Sequence, residues 1–114
     1  MLRWPGGMRV FVCLEAVDMR RSFDGLAALA EQVTGQEPLS GHLFVFRSRR
    51  GDRVKILVWE QDGYALWYKR LEAGVFRFPP GDGASVEVSA AELACILEGL
   101  DFAGARRGKR YVRP

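Results

Sequence analysis

The fold is decided by three strand-like runs, His42-Leu-Phe-Val-Phe-Arg47, Val54-Lys-Ile-Leu-Val-Trp-Glu60 and Tyr64-Ala-Leu-Trp-Tyr-Lys-Arg-Leu71. Each run is rich in β-branched and aromatic residues and is followed by a short turn that contains glycine. This local chemistry is typical of β-hairpins rather than of helices. We therefore predict an antiparallel meander from Gly41 to Pro79, completed by Val75-Phe-Arg-Phe78 as its last strand.

Apolar residues occur on both sides of these strands. In the first strand, Leu43 and Val45 share one face, while Phe44 and Phe46 share the other. A sheet that is apolar on both faces needs a cover on each of them. We expect helices to supply one cover, and a partner or a second copy of the protein to supply the other.

Outside the meander, the sequence predicts one more strand and two amphipathic helices. Arg9–Leu14 has the character of a short buried strand that pairs with the meander. The first helix is capped by Asp18 or Ser22 and stops at Gly35, and its apolar stripe consists of Phe23, Leu26, Ala30 and Val33.

The second helix has the clearest start in the chain. Ser89-Ala-Ala-Glu92 forms a capping box, and Gly99 offers a left-handed residue at the other end. Val86-Glu-Val88, just before it, is at most a brief edge strand. The sequence thus predicts an α+β fold, with a mainly antiparallel sheet of about five strands and two amphipathic helices, in the order β-α-β-β-β-β-α.

Length and composition indicate one globular domain. A chain of 114 residues that is 48% hydrophobic can bury a sizeable core. We assign residues 1–8 to a lead-in, 9–103 to a single α+β domain and 104–114 to a basic tail. No apolar run approaches the ~20 residues of a membrane span, and the two cysteines, Cys13 and Cys95, suit a reducing compartment, so we expect a cytoplasmic protein that does not contact membranes.

No constellation of residues predicts catalysis, a metal site or a cofactor. His42 is the only histidine, and with two distant cysteines it gives too few ligands for zinc. The acidic residues Asp52, Asp62 and Glu72 lie in predicted turns, where carboxylates serve the turn and solubility. A carboxylate enzyme built on Asp24 and Asp52 is the weakest of the functional alternatives.

Clustered positive charge is the main functional signal. The net charge is only +3, but ten of the seventeen lysines and arginines occupy two short segments, enough to create a local field. Guanidinium groups bind phosphate oxygens in a bidentate manner, whereas the plainer interpretation is solubility and protection of a sheet edge. We predict as nucleic-acid contacts Arg47, Arg49, Arg50, Arg53 and Lys55, with Lys69 and Arg70 as neighbours, and Arg106, Arg107, Lys109 and Arg110 in the tail.

Three separate motifs resemble a known family. They are Asp18-Met-Arg-Arg-Ser-Phe-Asp-Gly-Leu-Ala-Ala-Leu29, Ser40-Gly-His-Leu-Phe-Val-Phe-Arg-Ser-Arg-Arg-Gly-Asp-Arg53 with Lys55-Ile56, and Tyr68-Lys-Arg-Leu-Glu72 with Phe76 and Pro79. Together they resemble the second-frame accessory proteins, called TnpB, of the insertion sequence 66 family, which are unrelated to the RNA-guided nucleases of the same name. The resemblance spans about Arg9 to Asp101. It implies an auxiliary factor in transposition of a bacterial mobile element, and it carries over no catalytic residues.

The favoured hypothesis is a non-enzymatic accessory protein that contacts transposon DNA through the basic hairpin and tail. The alternative is an adapter that docks on the transposase of the same element, or on a second copy of itself, through an apolar sheet face. The first hypothesis rests on the clustered arginines and the second on the missing cover of the sheet.

Overall fold

A computed structural model describes residues 7–99 of the chain. The elements occur in the predicted order β-α-β-β-β-β-α, with one added turn of 3-10 helix at Pro38–Ser40 after the first helix. They are β1 (Val10–Cys13), α1 (Phe23–Thr34), β2 (Leu43–Arg47), β3 (Arg53–Glu60), β4 (Gly63–Arg70), β5 (Ser85–Val88) and α2 (Ala90–Glu98). The predicted basic tail and most of the lead-in lie outside the described residues, so those boundaries stay predictions.

The five strands form one mixed sheet in the order β4-β3-β2-β1-β5. The pairs β2–β3, β3–β4 and β1–β5 are antiparallel, while β1 and β2 run parallel, with Val10 opposite Leu43 and Val12 opposite Val45. The α+β fold and the mainly antiparallel sheet are thereby confirmed. The parallel pair requires a crossover connection, which is α1.

The last strand comes from a different segment than predicted. Val75–Phe78 is not a strand, and the fifth strand is β5, which pairs with β1. Phe76 and Phe78 still point to the same side, since both pack into the core on one face of the sheet. The predicted alternation of buried and exposed residues is therefore present, but this segment packs its phenylalanines against the core of the sheet and does not pair with a strand.

Each face of the sheet has a helix. Leu26, Ala27 and Ala30 of α1 pack with Phe11, Phe44, Phe46 and Leu57 on one side, called here the α1 face. Leu93 and Ile96 of α2 pack with Val10, Val45, Val54 and Ile56 on the other side, called here the α2 face. We expected a partner or a second copy of the protein to cover the second face of the sheet. The chain instead covers each face with one of its own helices, because the two helices lie on opposite faces.

Local chemistry explains how the helices begin and end. The Ser89 hydroxyl accepts a hydrogen bond from the Glu92 amide at 3.0 Å, and the Glu92 carboxylate accepts one from the Ser89 amide at 2.9 Å, which confirms the capping box. Gly35 ends α1 in the left-handed conformation with φ of 70°. Phe23 is 43% exposed, so the buried stripe of α1 begins at Leu26 and not at Phe23 as predicted. Among residues 7–99, no helix has the length and apolarity that a bilayer crossing requires.

Candidate nucleic-acid interface

The basic hairpin between β2 and β3 has a tightly defined tip. The Gly51 amide donates to the Ser48 carbonyl at 3.1 Å, which closes a four-residue turn with Arg49 and Arg50 at its centre. Gly51 has φ of +80°, a left-handed conformation that side chains other than glycine rarely adopt. The Ser48 hydroxyl also accepts from the Arg53 amide at 3.1 Å. The two central arginines therefore sit on a backbone whose shape is fixed.

The chain that follows β4 fastens this tip from outside the hairpin. The Leu71 amide donates to the Asp52 carbonyl at 2.8 Å, and the Phe76 amide donates to the Gly51 carbonyl at 2.8 Å. Phe76 is itself buried, at 3% exposure. The tip is thus held against the domain and does not behave as a free loop, which lowers the entropy that would be lost when it binds a ligand.

Arg49 and Arg50 present their charge outward. Both residues are exposed, and neither has a salt bridge with any residue between 7 and 99. Next to them, Arg53 donates a long hydrogen bond of 3.4 Å to the Tyr68 hydroxyl on β4. Within residues 7–99, the two arginines of the turn have no carboxylate partner, and the third arginine beside them is held by a neutral group.

The seven predicted contacts in the hairpin and β4 do not form one surface. Arg53 is opposite Arg70, and Lys55 is opposite Tyr68, so these four side chains lie on the α1 face. Arg47 and Lys69 are both opposite Val54, which belongs to the core of the α2 face. Arg47 and Lys69 therefore lie on the opposite face of the sheet from Arg53, Lys55 and Arg70.

Arg47 and Lys55 have internal partners. The Arg47 Nε donates to the Leu14 carbonyl at 2.7 Å, and its guanidinium lies 5.7 Å from the centre of the Phe78 ring. Lys55 is only 6% exposed, and its Nζ donates at 2.7 Å to both the Met19 and the Arg21 carbonyls. Lys55 thus serves the β1–α1 connection and is not presented to solvent.

The β1–α1 connection carries two further arginines, Arg20 and Arg21, which lie outside the two basic clusters of the sequence. By binding the Met19 and Arg21 carbonyls, on either side of Arg20, Lys55 holds the backbone of this connection at the α1 face. Arg20 is paired with Asp18 at 2.7 Å in an exposed salt bridge, and hydrogen bonds from Arg20 lower the pKa of Asp18 to about 2. Arg21 is exposed. The signal for both residues was their place in the Asp18–Leu29 motif.

A cleft of about 380 Å³ lies between this connection and the hairpin tip. Its walls carry three arginines and two aspartates, so it is mixed in charge, with an excess of positive groups. The lining residues are Ala16, Val17, Asp18, Met19, Ser48, Arg49, Arg50, Asp52 and Arg53. We use the name arginine surface for the arginines of the hairpin tip, the β1–α1 connection and the end of β4, which are Arg20, Arg21, Arg49, Arg50, Arg53 and Arg70. Of these, Arg49, Arg50 and Arg53 line this cleft, and Arg21 lines a second cleft beside Cys13.

Comparison with known proteins assigns the chain to a family. The sequence profile of the IS66 Orf2-like proteins matches residues 8–107. The chain belongs to this family. It is 37% identical to the uncharacterised protein y4jC of Sinorhizobium fredii over 108 residues, which are 95% of this chain and 92% of the relative. It is also 37% identical over 100 residues to y4hO of the same organism, covering 86% of this chain and 87% of the relative.

The assignment confirms the resemblance that the three motifs predicted. As an IS66 Orf2-like protein, the chain has an accessory role in an insertion sequence. The family is not a known class of enzyme. No solved structure matches the chain significantly.

The groups with potential for other chemistry are dispersed in this IS66 Orf2-like protein. His42 accepts a hydrogen bond from the Arg9 amide at 3.0 Å and contacts the Phe11 ring, at the end of the sheet opposite the hairpin tip. Burial raises the pKa of the Cys13 thiol to about 12, while Cys95 is half-buried. Within residues 7–99, no three His, Cys, Asp or Glu side chains converge in a way that could hold a metal ion.

Proposed function

We propose that this protein is a non-enzymatic accessory factor of transposition that contacts the DNA of its insertion sequence through the arginine surface. The observation that carries the proposal is the hairpin tip, where Arg49 and Arg50 are exposed, lack a carboxylate partner among residues 7–99 and sit on a turn fixed by hydrogen bonds. Phosphate contacts supply most of the sequence-independent affinity of proteins for DNA.

The chemistry of the surface suits an oxyanion such as phosphate. Arginine presents a planar fork of donors that matches two phosphate oxygens, and its weak hydration makes the exchange of water for phosphate favourable. Arg53 is held by a hydroxyl and not by an anion, so it keeps its full charge available. Arg20 and Arg70 are each in an exposed ion pair, and such pairs contribute little to stability, so a phosphate can take the place of the carboxylate.

The proposal selects among the residues predicted from sequence. It retains Arg49, Arg50, Arg53 and Arg70 as phosphate contacts, adds Arg20 and Arg21, and gives Lys55 a supporting role. Arg47 and Lys69 face the other side of the sheet and are not needed. The tail arginines and lysine, Arg106, Arg107, Lys109 and Arg110, stay predicted contacts outside the described residues.

A salt titration tests this proposal. Fluorescence anisotropy of labelled transposon-end DNA should give log Kd that rises with log salt by about 0.9 per phosphate neutralised. Replacing two contacts in the variant Arg49→Gln/Arg50→Gln should lower that slope by about 1.8. The matched control is Arg9→Gln/Lys69→Gln, which removes the same charge from the opposite sheet end and the opposite face, and its slope should stay near that of the wild type.

Two results would count against the proposal. One is the absence of DNA binding at low salt, and the other is an equal loss of slope in both double variants, which would mean that only net charge matters. The adapter alternative makes a separate prediction: association with the transposase, or self-association, would survive nuclease treatment. A helix of the chain packs on each face of the sheet, so the alternative no longer follows from a face without a cover.

A further inference from the structure

An exposed tyrosine ring lies inside the arginine surface. Tyr68 is 47% exposed and lies on the α1 face of β4, which is an edge strand. Lys55 is directly opposite it on β3, and the opposed pair Arg53 and Arg70 is two residues further along the two strands. The ring thus lies among three cationic side chains, those of Arg53, Lys55 and Arg70.

The contacts of Tyr68 fix its orientation and leave one side of the ring available. The Lys55 Nζ lies over one ring face, 4.7 Å from the centroid, and Arg53 donates to the hydroxyl at 3.4 Å. Lys55 is anchored in turn by two carbonyls, so the cation on the inner side of the ring cannot move away easily. Because the inner face is occupied, the exposed part of the residue is the outer face and the ring edge.

Such a ring offers little to a duplex but much to an unpaired strand. In double-stranded DNA the bases are stacked on each other, and arginines reach the phosphates without any aromatic neighbour. Single strands expose base faces, and proteins that bind them combine a cationic track with aromatic rings on which bases stack. A fixed ring beside Arg53 and Arg70 has both components within two residues of each other on adjacent strands.

We infer that the arginine surface binds single-stranded DNA in preference to duplex, with one base stacked on the outer face of Tyr68 and the adjoining phosphates held by Arg53 and Arg70. This inference rests on the proposed function, since it specifies the form of DNA that the same surface takes. Arg70 is free to take part because its exposed pair with Glu72, at 2.9 Å, is readily exchanged for a phosphate.

The test compares one probe in two forms. Anisotropy titrations at about 50 mM salt use a labelled oligothymidylate of about 15 nucleotides, and the same strand annealed to its complement. Wild type should bind the single strand more tightly. Tyr68→Leu should weaken single-strand binding by about 5- to 150-fold, the range of one lost base stack, while duplex binding changes far less.

Two further variants separate the ring from its hydroxyl and from general damage. Tyr68→Phe keeps the ring and should keep the preference for the single strand. Tyr64→Leu is the matched control, since Tyr64 is on the same face of the same strand but contacts Trp59, away from the arginines, and the ratio of the two affinities should not change. Thermal unfolding of each variant confirms that the folded protein is being compared.

The outcomes are distinct. Equal affinity of wild type for the two probes, with no selective effect of Tyr68→Leu, would overturn the inference and leave the proposed function standing. Absence of binding to either probe would overturn the proposed function itself. Tighter binding of an oligouridylate than of the oligothymidylate would assign the surface to RNA and overturn the DNA assignment.

Discussion

Replacing Lys55 by methionine distinguishes a structural lysine from a phosphate contact. The sequence placed Lys55 among the phosphate contacts, whereas the structure places its ammonium against two carbonyls and a ring, with 6% exposure. Methionine nearly conserves the volume of the aliphatic stem and removes only the charged group. The structural assignment predicts a loss of stability, whereas the phosphate assignment predicts none.

The expected loss follows from the contacts. Each hydrogen bond from a charged donor contributes about 1.5–3 kcal/mol, so the bonds to Met19 and Arg21 together contribute about 3–6 kcal/mol. Part of this is offset, because methionine no longer requires the desolvation of a buried ammonium. We expect Lys55→Met to lower the free energy of unfolding by about 2–4 kcal/mol, with two carbonyls left without their donor.

Urea unfolding followed by circular dichroism measures this change. With a slope of about 2 kcal/mol per molar, the midpoint should fall by about 1–2 M urea. Lys69→Met is the matched control, since Lys69 is an exposed lysine on the adjacent strand, and its unfolding free energy should change by less than about 0.5 kcal/mol. A Lys55→Met protein as stable as wild type, with a salt slope for DNA lower by about 0.9, would refute the structural role and restore the phosphate contact.

The remaining predictions concern the hairpin tip and the β1–α1 connection. Gly51→Ala should lower the free energy of unfolding by about 1–2 kcal/mol, because alanine must adopt φ of +80° there. The control is Gly63→Ala, at a glycine without positive φ, which should leave the free energy of unfolding unchanged. Equal urea midpoints for the two variants would contradict this prediction. Asp18→Asn should be less stable than wild type at pH 6, and this difference in stability should disappear as pH falls from 3.8 through about 2. The reason is that Arg20 lowers the pKa of the Asp18 carboxyl in the folded state, so the carboxyl stabilises the fold only while it is ionised. A gap that is independent of pH would show that the Asp18 charge does not stabilise the fold.

Features that depend on neighbouring residues could be predicted from the sequence. The capping box at Ser89 needs only the side chains of two residues three positions apart, and the stop at Gly35 needs only a residue that tolerates positive φ. The strands of the meander follow from period-two alternation, which is a property of each strand alone. Consequently β2, β3 and β4 were predicted close to their observed bounds.

The segment from Val75 to Phe78 shows where alternation stops being sufficient. Phe76 and Phe78 alternate with exposed residues as a strand would, yet the Phe76 amide bonds to the Gly51 carbonyl at the hairpin tip instead of a neighbouring strand. Alternation reports that one side of an extended segment is buried, and it does not report whether the burying surface is a sheet face or a core beside a sheet edge. Hydrogen-bond partners decide that question, and they are distant in sequence.

The candidate surface was predictable in composition but not in arrangement. Alternation within β3 already puts Arg53 and Lys55 on one face, and alternation within β4 separates Lys69 from Arg70. Relating the two strands, and relating either to Arg47, requires the register, which a turn fixes through its length and hydrogen bonds. The clusters of charge along the sequence therefore group together residues, such as Lys69 and Arg70, that the pleat places on opposite faces of the sheet.

The direction of one strand pair explains how the arginine surface is assembled. Because β1 and β2 are parallel, their C-terminal ends lie at the same end of the sheet. There the Val17 amide, just after β1, donates to the Arg47 carbonyl at the end of β2, at 2.9 Å. The β1–α1 connection, which carries Arg20 and Arg21, is thereby brought beside the hairpin tip. An antiparallel β1 would have placed the connection at the far end of the sheet, near His42. The sequence predicted that β1 pairs with the meander but not in which direction. The one parallel pair in the described sheet is therefore what places the arginines of two separate motifs at the same end of the sheet.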